Sequence, residues 1–178
     1  KQISFEANID DLEPEAVEFA CAKFIEKYGA SQPAIERLSQ EEKLRKMGFI
    51  IHGKVTNAAL VLLGRPESTA FLSGSAPRIT WTLYASDGRP EAYEHFDPPF
   101  ILQADKVLEK IRNERYRYFN SEATLFPTLA NKYEPEVIRE LLHNAIAHQD
   151  YRRTGKINVL EYEDRIVFIN EGSFIPGS

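Results

Sequence analysis

The segment 134–172 constrains the fold most, because its hydrophobic period is helical at first and then alternates through two successive runs. Glu134-Pro135 predicts a helix start, since proline suits the first turn, where its missing N–H is not needed. Val137, Ile138, Leu141, Leu142, Ala145 and Ile146 fall at helical spacing and predict one broad apolar face on a helix running to about His148. Ile157-Asn-Val-Leu-Glu-Tyr162 then reads as a strand. Glu163-Asp164 reads as a turn, and Arg165-Ile-Val-Phe-Ile169 as the hairpin partner. Asn170-Glu-Gly172 leaves that strand as a glycine-bearing loop. The order is helix, strand, turn, strand, loop, and the predicted class is α+β.

Glu140, Asn144 and His148 follow one another at i, i+4 and i+8, a polar stripe along the edge of the apolar face. Groups at such an edge are partly sheltered and can be held in fixed orientations. A carboxylate can polarise a water, and an amide oxygen one turn away can ligate a hard cation. Mg²⁺ prefers oxygen ligands and keeps waters and nucleotide phosphates among them. Phosphoryl transfer to water needs a positioned water and charge neutralisation, and little else from the protein. Each residue alone has a plainer reading. A Glu and an Asn four apart are usually a solvated edge, a histidine there is usually hydrogen-bonded at the core margin, and Asp150-Tyr151 makes a helix-end turn.

Taken together, Glu140-x-x-x-Asn144-Ala resembles the N-box of the GHKL ATPases, the class with gyrase-type, MutL-type and histidine-kinase ATP sites. The longer run Asn144-Ala-Ile-Ala-His148-Gln-Asp150-Tyr151, the hairpin, and Asn170-Glu-Gly172-Ser-Phe-Ile-Pro176-Gly177 resemble a narrower group. That group is the divergent AAA-4 or Schlafen AlbA_2-linked transcriptional regulators of prokaryotes, with a GHKL-like (HATPase_c_4-type) C-terminal module. Gly53-Lys-Val-Thr-Asn57-Ala-Ala-Leu-Val-Leu-Leu-Gly64 is similar to a segment these proteins carry between their DNA-binding domain and that module.

The resemblance implies roles. Glu140 would be the water-activating base, and Asn144 the Mg²⁺ ligand beside the nucleotide. Asn170 and Gly172 would lie at the nucleobase, with His148 and Asp150 at nucleotide-binding positions. ATP and Mg²⁺ would be the cofactors, and DNA a partner through an AlbA_2 domain outside this chain. Asn170 stands where the GHKL class usually has an Asp that binds the adenine amino group; it offers an acceptor oxygen without the charge. Many of the narrower group read Asn-Pro-Gly where this chain has Asn170-Glu171-Gly172. The lid, the second glycine box and the remaining strands of that class have no counterpart in residues 1–178. Some members are helicase-related, but the sequence has no Walker A pattern.

Earlier in the chain, Asp10-Asp11 and Pro14 predict a helix start, with Gly29 as its terminator. Ser39 with Glu42 forms a capping-box pattern for a second helix ending at Gly48. Residues 56–63 read as a short buried helix before Gly64. With the helix at 40–47 it loosely resembles a helix-turn-helix, but it is too apolar to lie in a groove. Arg78-Ile-Thr-Trp-Thr-Leu-Tyr-Ala85 predicts a strand, Asp87-Gly88 a turn, and residues 92–96 a second short strand. A helix is expected at 102–112, strand-like segments at 116–119 and 124–126, and a connector at 127–133. Trp81 and Tyr84 read as packing residues. The expected division is an N-terminal mixed α/β lobe, 1–113, and a partial GHKL (Bergerat-like) module, 114–178.

A net charge of −5 argues against a strongly basic nucleic-acid binder, although Arg112, Arg115, Arg117, Arg139, Arg152, Arg153 and Lys156 make the last third locally basic. The single cysteine excludes an internal disulfide framework and a cysteine-rich zinc site, which fits a reducing cytoplasm. The four histidines show no zinc spacing. No apolar run is long enough to span a bilayer, so no membrane partner is expected. The start lacks a signal-peptide layout and an initiator Met, so a segment of a longer protein is expected. Two other readings stand beside the ATPase module: an inactive interaction or homodimerisation module that keeps the fold, and a direct DNA-binding module.

Overall fold

The helix signals at the front of the chain act where the sequence puts them. The computed structural model describes all residues except 1, 2, 5, 73, 75, 119–127, 154 and 173–178. Helix α1 covers Pro14–Tyr28 and buries Ala16, Val17, Ala20 and Cys21. Helix α2, Gln40–Met47, is capped in both directions by Ser39 and Glu42, and Gly48 ends it in a left-handed conformation at φ 76°. Strands β1 (Ile50–Ile51) and β2 (Lys54–Val55) form a small hairpin. Its turn, His52-Gly53, has φ of 49° and 73°, the primed geometry that matches strand twist. Helix α3, Asn57–Leu63, begins where the Thr56 hydroxyl accepts from the Ala59 N–H. Ala59, Leu60, Val61 and Leu63 are buried, so α3 is a core helix.

Strands β3 (Arg78–Tyr84) and β4 (Pro90–Phe96) pair antiparallel. Helix α4 is Phe100–Lys110, displaced from the expected 102–112. Fully buried Phe100 anchors its first turn. Beyond its end the Asn113 side chain exchanges two hydrogen bonds with the Tyr133 backbone, at 2.8 and 2.9 Å, which fixes the chain in a non-helical course. Strands β5 (Arg115–Tyr118) and β6 (Thr128–Asn131) form a second hairpin. The expected connector at 127–133 is thus corrected: four residues are too few to reveal a period, and pairing with β5 makes 128–131 a strand. The segment 124–126 lies outside the described residues. Helix α5 is Pro135–His148, followed by β7 (Lys156–Glu161) and β8 (Ile166–Ile169), as the periodicity predicts.

The main sheet has strand order β4-β3-β7-β8. Strands β3 and β7 run parallel, with Ile79 opposite Ile157 and Trp81 opposite Val159; the outer pairs are antiparallel. Ile79, Trp81 and Leu83 alternate inward on β3, as do Ile157, Val159 and Glu161 on β7. These apolar residues join one core with Phe100 and Val107 of α4 and with Ile138, Leu142 and Ala145 of α5. Each fully buried side chain of this size contributes about 1.5–3 kcal/mol. The sheet therefore draws strands from both sides of residue 113.

One carboxylate sits inside this joint. Glu161 is 1% exposed. Its Oε2 accepts from Trp81 Nε1–H at 2.9 Å, and its Oε1 accepts from the Arg112 backbone N–H and Nε–H, both at 3.1 Å. A buried carboxylate is tolerable because donors meet both oxygens. Trp81 is thus a packing residue that also fixes Glu161.

Candidate functional site

Helix α5 turns Ile138, Leu142, Ala145 and Ile146 into the core. The broad face expected from its sequence is narrower in the structure: Val137 is 55% exposed and Leu141 42%. They lie on the outward flank with Glu140, Asn144 and His148, which are also exposed. Apolar spacing alone could not tell a buried position from an exposed one beside it.

On that flank Asn144 Nδ2 donates to Glu140 Oε1 at 3.1 Å. The pair spans one helical turn, so backbone geometry holds it. His148 is the last residue of α5, and its carbonyl oxygen lies under the loop 170–172. A Cβ built on Gly172 would stand 2.1 Å from that oxygen, so only glycine lets the loop approach so closely. Asp150 N–H donates to Glu171 O at 2.6 Å, and Glu171 N–H donates to Gln149 Oε1 at 2.8 Å. The loop after the hairpin is thereby bound to the end of the helix. The predicted residues Glu140, Asn144, His148, Asp150, Asn170 and Gly172 lie on α5, at its C-terminal end, or on this loop.

Asp150 is not a free carboxylate. Arg152 grips it through Nε and Nη2, both at 2.9 Å, and through its backbone N–H at 3.1 Å. These bonds, first among them the guanidinium, hold its carboxyl down to about 2. Its side chain shapes the turn after α5. Asn170 is partly buried, with its Nδ2 turned toward Gly172.

The sequence gives no role to Gln149 or Gly74, and to Tyr151 only that of a helix-end turn. Gln149 is buried, and its Nε2 also donates to Asp150 O at 3.2 Å. The Tyr151 hydroxyl donates to Ile146 O at 2.8 Å, and burial pushes its pKa upward. Gly74 packs on the backbone of the same turn: a Cβ there would lie 2.4 Å from Tyr151 O. In the sequence Gly74 stands in the turn-like run Ser73-Gly-Ser-Ala-Pro77, which marks a loop and not this close approach.

Among the described residues, no group of three or more His, Cys, Asp and Glu is placed to hold a metal ion. No described helix is long and apolar enough to cross a membrane.

No family model and no curated protein matches the chain. Among solved structures it is similar to the crystal structure of the DIP2311 protein from Corynebacterium diphtheriae, a structural genomics target, with a TM-score of 0.67 and 20% identity. The match covers 98% of this chain and 33% of that one, so the chain spans about a third of its solved neighbour. At that identity the likeness is one of fold, and it agrees with the α+β class.

Proposed function

We propose that this chain is the nucleotide-binding, GHKL-like module of a DNA-binding transcriptional regulator that acts in the cytoplasm. The carrying observation is the Asn144–Glu140 hydrogen bond of 3.1 Å on the outward flank of α5, with the loop 170–172 bound to the end of that helix. ATP·Mg²⁺ is the ligand, and DNA is engaged by another domain.

The donor set fits a hard cation. Asn144 gives Nδ2 to Glu140, which leaves its Oδ1 as an oxygen donor. With no acidic cluster beside it among the described residues, Asn144 suits an ion that takes its remaining ligands from phosphate and water. When bound, Mg²⁺ would neutralise charge on the phosphoryl group being transferred. Glu140, exposed and steadied by Asn144, would orient a water and accept its proton. Asn170 would present an uncharged acceptor to the nucleobase, a weaker hold than the usual carboxylate.

Calorimetric titration of ATP·Mg²⁺ into the full-length protein and its Asn144→Ala variant tests this reading. Binding by the native protein that drops by at least about tenfold in the variant supports it. Equal binding by both removes the Mg²⁺ role of Asn144.

A second reading has its own observation. Val137, Leu141 and Ile169 are exposed apolar side chains on α5 and β8. They suit an interaction or dimerisation module that keeps the fold without hydrolysis. A stable dimer with no ATP turnover would favour it. Salt-sensitive retardation of duplex DNA by residues 1–178 alone would favour the weaker alternative, a direct DNA-binding module.

A further inference from the structure

A second flank of α5, marked by Arg139, His143 and Ile146, faces a cleft of about 660 Å³ shared with α1, α3 and α4. That volume falls within the roughly 300–1,000 Å³ of small-molecule sites. Phe19, Val61, Leu62, Phe100 and Ile101 make its walls apolar. Its charged residues, Lys23, Asp105 and Arg139, have exposed side chains at the cleft margin.

Those cations are only loosely committed. Lys23 is paired with Glu26 at 2.7 Å and Arg139 with Asp105 at 2.6 Å, each through an exposed ion pair. Such pairs add little stability, so a ligand anion can displace the partner acid readily. His143 lies one helical turn from Arg139, so the two can face the same anion. An apolar floor with a cationic margin matches a molecule that has an apolar body and one acidic end.

We propose that this cleft binds a small amphiphilic monoanion, an aliphatic or aryl carboxylate. Its body lies between α1, α3 and α4, and its carboxylate meets Arg139 and His143. The inference does not depend on nucleotide binding. Gln149 also lines the cleft while its Oε1 holds the Glu171 amide, so occupancy bears on the loop 170–172.

Decanoate, below its micellar concentration, and decanol are the probes, titrated calorimetrically into the native protein and two variants. Saturable decanoate binding at one site is expected, with decanol about tenfold weaker because it lacks the charge. Arg139→Gln should weaken decanoate by a similar factor and leave decanol unchanged. Ala58→Trp, at an exposed position on the cleft wall, should abolish binding of both; Ala147→Trp serves if that variant does not fold. The proposal is overturned by absence of saturable binding, by decanol binding as tightly as decanoate, or by native affinity in a folded tryptophan variant. It is equally overturned if decanoate does not bind and the protein forms a dimer that Ala58→Trp disrupts, which would give the cleft to a second copy.

Discussion

Replacing Glu161 with glutamine perturbs the joint between β3, β7 and the end of α4 with almost no change in shape. Among the described residues, the hydrogen-bond partners of this side chain are all donors: Trp81 Nε1–H on one oxygen, and the Arg112 backbone N–H and Nε–H on the other. Glutamine has one carbonyl oxygen and one NH₂, so whichever way it turns, its NH₂ meets a donor. If the carbonyl stays with Arg112, the Trp81 N–H is left buried without an acceptor, at a cost of about 1–3 kcal/mol. Arg112 is half exposed and can recover water, so its charge adds little to that figure. For a chain of this length, each kcal/mol lowers the melting temperature by roughly 2–4 °C, so a loss of about 2–12 °C is expected. Trp81 is the only tryptophan, so its emission reports on the site directly. Urea unfolding followed by Trp81 fluorescence, with thermal melts by circular dichroism, gives both quantities. In a double-mutant cycle followed by circular dichroism, because Trp81→Phe removes the fluorophore, that replacement should make the glutamine less costly, since the orphaned donor is gone. A Glu161→Gln midpoint shift worth less than about 0.5 kcal/mol would refute the donor-convergence argument.

Other perturbations reach the helix end and its turn. Gln149→Leu removes the acceptor for the Glu171 N–H and should cost about 1–3 kcal/mol, with faster hydrogen exchange at Glu171; unchanged exchange would contradict the tether. Gly74→Ala places a methyl 2.4 Å from Tyr151 O and should destabilise by about 1–3 kcal/mol in chemical denaturation, whereas a neutral result would mean the two segments do not touch. The Asp150 carboxyl is depressed from 3.8 to about 2, so the stability it contributes is complete above pH 3.8 and is lost as pH falls through about 2. Asp150→Asn should flatten the acid limb of stability against pH in that window, and an unaltered acid limb would contradict the Arg152 contact.

Much of the local structure was legible, because the signals are themselves local. Ser39 and Glu42 cap α2 within three residues, Gly48 ends it, and Thr56 starts α3. The period change from α5 to β7 is written into the apolar spacing. What could not be read depends on remote partners. Nothing in Arg78–Tyr84 announces parallel pairing with Lys156–Glu161, since a buried strand shows its alternation and not its neighbour. Glu161 looks like a solvated strand residue until Trp81 and Arg112 are brought to it. Strand β6 was missed for the same reason. At the candidate site, the spacing of Glu140 and Asn144 located the pair, while Gln149 carried no periodic signal because its work is to hold a loop arriving from the hairpin.

The central proposal is most directly tested by adding ATP with Mg²⁺ to the isotopically labelled full-length protein and following amide resonances. The account predicts saturable shifts at the Asn144 side-chain amide and at the Glu171 and Gly172 backbone amides, lost without Mg²⁺ at Asn144. Shifts confined to residues of the α1–α3–α4 cleft, or no saturable shifts at all, would contradict it.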